Sequence, residues 1–212
     1  MEPKIEWLGH DSFRLSDGQK VVYIDPWKLA PGQPKADVIL VTHDHYDHFN
    51  KEDIQKISRP DTVVVGPPSV AQQLSGNVRT ARPNDSLTVA GIAIETVPAY
   101  NTNKFKSPGQ HFHPKEAGHV GYIVTMGGKR IYHTGDSDQT PEMNKVKCDV
   151  ALVPVSGTYV MTAQEAAAAV NEFRPEKAIP MHYADPDVVG TRKDAEEFKR
   201  LAQVPVEILD SK

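Results

Sequence analysis

Residues 37–48 read DVILVTHDHYDH, and the organisation of the chain follows from them. The first five are almost wholly apolar, as in a strand covered on both faces. From His43 to His48 the chain then carries three histidines and two aspartates in six residues. Burying such a cluster beside an apolar strand is costly unless something of opposite charge is bound. Imidazole and carboxylate together suit zinc, manganese, iron or nickel. His43 and His45 lie two apart, so on extended backbone they share a face. Asp47 and His48 come after the turn and reach toward a second ion. The alternative is a polar surface loop with chance histidines.

Outward from this stretch, short apolar runs dominate the first two thirds. KIEWLG, SFRLS, KVVYID, TVVVG, SLTVA and IAIETVPA are each bounded by Gly, Pro, Asn or Asp, as strands are. SLTV and IAIETV flank Ala90-Gly91, and GYIVTM and KRIYHT flank Gly127-Gly128; both pairs read as hairpins. Asn50 is placed to cap a helix over KEDIQKI. Thr162 and Glu165 are spaced for a capping box, as are Thr191 and Asp194. Pro67-Pro68 is expected to open a short helix through residues 70–74. Many strands with a few helices predict an α/β chain of two packed sheets with helices outside.

The 212 residues suit a single domain spanning 1–212. A net charge of −4 argues against a dedicated nucleic-acid binder. The one cysteine, Cys148, excludes an internal disulfide and reads as an inert residue before a buried strand. No apolar run approaches the roughly 20 residues of a membrane span, and MEPKIEWLGHDSF lacks the apolar core of an export signal. The expectation is a cytoplasmic protein with no membrane partner.

HDHYDH after a strand resembles the His-x-His-x-Asp-His signature of the metallo-β-lactamase superfamily. GHDSF at 9–13, DPW at 25–27, HTGD at 133–136, PVSGTY at 154–159 and IPMHY at 179–183 resemble further motifs of that family, in order. The chain looks closest to small stand-alone hydrolases similar to ascorbate-6-phosphate lactonase, and more distantly to N-acylphosphatidylethanolamine phospholipase D. The resemblance implies an αββα four-layer sandwich of two mixed sheets, with two divalent metals at one edge. Zinc is the first expectation, and manganese, iron or nickel the alternatives. His43 and His45 would bind the first metal, Asp47, His48 and His182 the second, and Asp136 would bridge them.

The pattern breaks at one point. Relatives often place a histidine ligand after the strand that here ends Thr96-Val97-Pro98-Ala99-Tyr100, but the next residue is Asn101. His113 is the expected replacement, His111 the second choice, and His119 is either a ligand or a packed strand residue.

Two metals that share a hydroxide supply a nucleophile near neutral pH. The expected activity is cleavage of a small ester, lactone or phosphoester, with Asp47 orienting the nucleophile or taking a proton. His10 and Tyr159 are candidates for contacting the substrate or bracing the site, and Asp25 for bracing the ligand loop. Lys104, Lys106 and Lys115 in the 101–115 loop, with Arg192 and Lys193, either attract an anionic substrate or form a solvated surface. Two other activities occur on this type of fold. A phosphodiesterase acting on nucleic acid is disfavoured by the acidic balance. A di-iron redox protein is disfavoured by His45, where such proteins carry Glu.

Overall fold

The computed structural model describes residues 2–212. Two six-stranded mixed sheets form its centre. The first contains β1 (Lys4–Gly9), β2 (Ser12–Ser16), β3 (Val21–Ile24), β4 (Val38–Leu40), β5 (Val63–Gly66) and β6 (Val78–Thr80), in that spatial order. The second contains β7 (Ser86–Val89), β8 (Ile92–Pro98), β11 (Val120–Met126), β12 (Lys129–His133), β13 (Val150–Pro154) and β14 (Lys177–Met181), in the order β14-β13-β12-β11-β8-β7. A small hairpin of β9 (Phe105–Ser107) and β10 (Gln110–His111) stands apart from both. The helices are α1 (Lys51–Ile57), α2 (Pro68–Ala71), α3 (Ala163–Phe173) and α4 (Arg192–Leu201).

Alternation along the strands sorts side chains between layers. Val22, Ile24, Val38 and Leu40 join the core between the sheets, with Ile94, Tyr122, Val124 and Ile131 from the second sheet. Their neighbours Tyr23, Ile39 and Val41 face the other way, onto Ile54 and Ile57 of α1 and Val70 of α2. On the far side, Ala166, Val170 and Phe173 of α3 and Phe198 of α4 cover the second sheet. The result is the helix–sheet–sheet–helix layering expected from the sequence.

The expected turns and caps form. Ala90 and Gly91 have φ of 50° and 83°, and Gly127 and Gly128 have φ of 56° and 79°. Both pairs lie in the left-handed region that tight hairpins require. Asn50 accepts from the Asp53 amide, and reciprocal capping boxes join Thr162 to Glu165 and Thr191 to Asp194. The helix at Pro67-Pro68 is shorter than expected: it runs Pro68–Ala71, ending three residues before residue 74. Strands β6, β9 and β10, of three, three and two residues, were not anticipated. Of these, β6 pairs along the edge of β5, whereas β9 and β10 pair only with each other.

The two sheets are tied together where the histidine-rich loop begins. Tyr122 of β11 donates its hydroxyl to the Val41 carbonyl at 2.9 Å, and the Val120 amide donates to the Thr42 carbonyl at 3.1 Å. Gly135 passes close beneath Thr42 with φ of 63°. A Cβ there would lie 3.0 Å from the Val120 carbonyl and 3.2 Å from Thr42 Cβ, closer than ordinary van der Waals contact, on a backbone that side chains rarely adopt. Among the described residues, no helix is long and apolar enough to cross a membrane.

Candidate metal centre

Five segments deliver side chains to one end of the sandwich: the turn after β1, the loop after β4, the 99–119 excursion, the loop after β12 and the end of β14. Within the loop after β4, Asp25 fixes the geometry. It is fully buried and accepts from the Thr42 amide (2.8 Å), the Thr42 hydroxyl (2.6 Å) and His48 Nδ1 (2.8 Å). Because Thr42 gives its proton to Asp25, its oxygen accepts from His43 Nδ1 at 3.0 Å. Both imidazoles are thereby held in the tautomer that leaves Nε2 bare. Such outer partners orient ligands and set their basicity.

The bare nitrogens converge. His43, His45 and His113 form one group of donor atoms, all within 4.8 Å of one another, and His43, His48 and Asp136 form another. The Asp136 carboxylate lies between them. Its Oδ2 is 3.3 Å from His113 Nε2, 3.5 Å from His182 Nε2 and 3.9 Å from His43 Nε2, while Oδ1 is 3.5 Å from His48 Nε2. Two donors on one tetrahedral ion at about 2.1 Å stand roughly 3.4 Å apart. The spacings to His113, His182 and His48 lie close to that value, the one to His43 is longer, and all exceed ordinary hydrogen-bond lengths. His43 Nε2, His48 Nε2 and Asp136 Oδ1 are buried with no hydrogen-bond partner among the described residues. Orphaned donors of this kind, aimed at common points, fit metal ions.

Electrostatics agree. Burial holds His43 well below the usual imidazole range and pushes His113 and His119 down to about 4. These rings are neutral, the form that ligates. Around Asp136 the balance reverses. Burial opposes charge there, but Asp136 raises His48 far above its ordinary value, and Asp136 with Asp11 raises His182 to about 9. His48 and His182 in turn outweigh burial at Asp136 and hold it well below the carboxylate range. So dense a set of buried carboxylates demands positive charge, from protons on His48 and His182 or from a divalent cation.

The structure resolves the break at Asn101. Buried Asn101 accepts from the His113 amide at 2.8 Å and from His113 Nδ1 at 3.1 Å, through one oxygen. Its own amide donates to the His113 carbonyl at 2.8 Å, and its Nδ2 to the Tyr159 carbonyl at 2.9 Å. Asn101 therefore holds His113, whose Nε2 lies 3.3 Å from Asp136 Oδ2. His111 stacks on Phe105 in the β9–β10 hairpin and joins none of the donor groups. His119 packs its ring 4.9 Å from that of His43 and turns Nε2 toward Asp44, at 3.9 Å.

His182 is aimed by Ser156, whose Oγ is 2.7 Å from Nδ1, and has φ of 62°. Strained backbone is found at functional sites because the surroundings must hold it there. His10, with φ of 50°, places Nε2 3.1 Å from Asp47 Oδ2. Asp11, beside it, was not singled out from the sequence; adjacency to His10 was its only signal. It is fully buried, and burial raises it well above the carboxylate range. Ser156 and the supporting role of Asn101 were also missed.

A cavity of about 610 Å³ opens over these groups. Asp44, His45, Asp47, His113, Asp136 and His182 form its polar part; Tyr46, Phe112, Tyr159, Val188 and Val189 form much of the rest. No lysine or arginine lines it. Lys104 pairs with Glu165 at 2.7 Å and Lys115 with Glu142 at 2.8 Å. Arg192 pairs with Asp210 at 2.9 Å, while Lys106 and Lys193 are exposed. Of the two readings of these cations, the structure favours the one without an anion site: Lys104, Lys115 and Arg192 are taken up by carboxylates and Lys106 and Lys193 are exposed.

Residues 4–182 match the family model described as a β-lactamase superfamily domain. The chain belongs to the metallo-β-lactamase superfamily. Within the superfamily it is similar to UPF0173 metal-dependent hydrolases. That of Thermococcus kodakarensis is 35% identical over 97% of this chain and 95% of the relative, and that of Thermoplasma acidophilum is 33% identical over 94% and 90%. A crystal structure from Parabacteroides distasonis, 32% identical, superposes with a TM-score of 0.83 over 99% of this chain and 94% of the other. The superfamily fold extends to Igni18, a metallo hydrolase of Ignicoccus hospitalis, at a TM-score of 0.76 and 24% identity.

Proposed function

We propose that this chain is a dinuclear metal-dependent hydrolase of small, uncharged esters or lactones. The observation that carries the reading is the Asp136 carboxylate, with His113 and His182 within 3.5 Å of its Oδ2 and His48 3.5 Å from its Oδ1, at the floor of a cavity with apolar walls and, among the described residues, no lysine or arginine. His43, His45 and His113 would hold one ion, Asp47, His48 and His182 the other, and Asp136 both. Such ions, once bound, lower the pKa of water toward 7 and polarise the bond to be cleaved.

The remaining work falls to the side chains. Asp47 lines the cavity and is held by His10, so its carboxylate is positioned to orient a water molecule. Burial would raise Asp47, but His10 and His48 outweigh this and bring it down to about 2, so it stays ionised. Phe112 and Tyr159 meet edge to face at 4.7 Å and form a wall against an apolar group. The missing lysine and arginine disfavour a phosphoester or a nucleic acid, whose charge would have to be met by the metals alone. Lactones enter through the resemblance to ascorbate-6-phosphate lactonase. The whole chain acts as one domain in this reading.

Purified protein, stripped by a chelator and reloaded with zinc or manganese, is assayed on neutral esters, lactones and phosphodiesters. Two ions per chain and hydrolysis of the neutral compounds are expected. His45→Ala should lower both metal content and turnover. Retention of both by this variant overturns the proposal.

A further inference from the structure

Asp11 sits in the tight turn between β1 and β2, and that turn is pinned from three sides. The Asp11 carbonyl accepts from His133 Nε2 at 2.9 Å. The His10 carbonyl accepts from Trp7 Nε1 at 2.8 Å and from the His182 amide at 3.1 Å. The Asp11 side chain is thus fixed at a spot of zero exposure, yet neither carboxylate oxygen has a hydrogen-bond partner among the described residues. Its imidazole neighbour is His48, with Nε2 3.5 Å from Oδ2. The other nitrogen of His48 is already committed to Asp25. No lysine or arginine pairs with Asp11. A buried carboxyl without donors is accommodated either by holding a proton or by standing beside a cation.

The location offers donor atoms for one. Asp11 offers an oxygen within 4.8 Å of donor atoms from His10, His48 and His182. The 3.5 Å to His48 Nε2 equals the spacing of His48 and His182 from Asp136. We propose that Asp11 is a further ligand of the second cation position and makes that position prefer manganese relative to the first. This rests on the dinuclear reading above. With Asp11, the second position would draw on three carboxylates (Asp11, Asp47 and Asp136) and on His48 and His182, while His10, in the same group of donor atoms as Asp11, is taken up in holding Asp47. The first has three imidazoles and only the shared Asp136. Oxygen-rich sets suit manganese, and imidazole-rich sets suit zinc. The two positions are chemically unlike, and Asp11 widens the difference.

The test is metal binding by metal-free protein. Manganese uptake is followed by the loss of the free-ion electron paramagnetic resonance signal, and zinc uptake by competition with a chromophoric chelator. Wild type, Asp11→Asn and Asp11→Ser are compared, with circular dichroism to confirm folding. Both variants should lose at least about tenfold in manganese affinity at one of two positions, and that position should turn toward zinc. Two manganese ions bound with wild-type affinities in the variants would overturn the assignment and leave the dinuclear reading standing. A wild type that takes up only one ion overturns both. Should the variants fail to fold, a crystal structure of manganese-loaded wild type decides. An Asp11 oxygen within about 2.2 Å of an ion supports the assignment; a separation beyond 3 Å overturns it.

Discussion

Asn101 holds His113 by three hydrogen bonds, two through its side-chain oxygen and one from its backbone amide. The asparagine stands where a ligand was expected, and the histidine twelve residues later is placed with its Nε2 3.3 Å from Asp136. A position in the chain has thus been exchanged for a position in space.

Asn101→Ala removes the acceptor that fixes the His113 tautomer and ring. Metal affinity at the first position should fall about 10- to 100-fold, the usual effect of losing an outer partner. Isothermal titration of the metal-free protein measures it. Affinity within twofold of wild type would show that His113 needs no such support.

Lys28 ties the cavity wall to the body of the protein. Its ammonium contacts Asp185 at 2.7 Å and Asp187 at 2.5 Å, and Asp187 lines the cavity. Exposed ion pairs add little to stability, so Lys28→Ala should melt within about 2 °C of wild type. Its effect should appear as a raised KM with kcat little changed, the sign of lost ground-state binding. Steady-state kinetics on the best neutral ester tests this. A fall in kcat at constant KM would refute it.

Glu6 carries a pH dependence that is independent of the metal centre. Its side chain is 4% exposed and meets Lys4 and Arg14 at 2.7 Å and Lys212 at 3.3 Å. Burial would raise it, but the three cations outweigh burial and bring it down from 4.5 to about 2. A carboxyl lowered on folding adds stability that is complete above its unfolded value. That stability is lost as pH falls toward its folded value. The advantage of wild type over Glu6→Gln in urea unfolding should therefore be full at pH 6 and shrink steadily between about pH 4.5 and 2. A gap that stays constant across this window would show that the charge contributes nothing.

Thr162 opens α3, accepting from the Glu165 amide at 3.2 Å while its own amide donates to Glu165 at 2.8 Å. Thr162→Ala should cost about 1 kcal/mol, or about 2–4 °C in Tm for a chain of this size. Thr162→Ser should recover most of the loss. Differential scanning calorimetry on the metal-free protein separates the cap from any effect of metal.

Contributions from nearby residues could be read directly. The strand-to-loop switch at Val41–Thr42, the histidine cluster, both glycine hairpins and the three capped helices rest on alternation, capping chemistry and turn residues, all local. The resemblance ordered the motifs and pointed to Asp136 and His182. Distance in sequence is what hid the rest. That Asn101 would serve His113, that Ser156 would aim His182, and that Asp11 would lie 3.5 Å from His48 depend on loops meeting after the sheets pack. Likewise, the choice between an anion site and a solvated surface for the lysines of the 101–115 loop turns on acidic partners from other segments, Glu165 for Lys104 and Glu142 for Lys115.

The sequence by itself determined that two sheets would form and that imidazoles and carboxylates would be delivered to one end of them, because periodicity and ligand chemistry are properties of neighbouring residues. Only the tertiary structure decided which histidine faces the shared aspartate, which carboxylate is left without a donor, and which charges are spent in surface pairs. Each of those outcomes is a contact between segments far apart in the chain, set by how the sheets and loops close around one another.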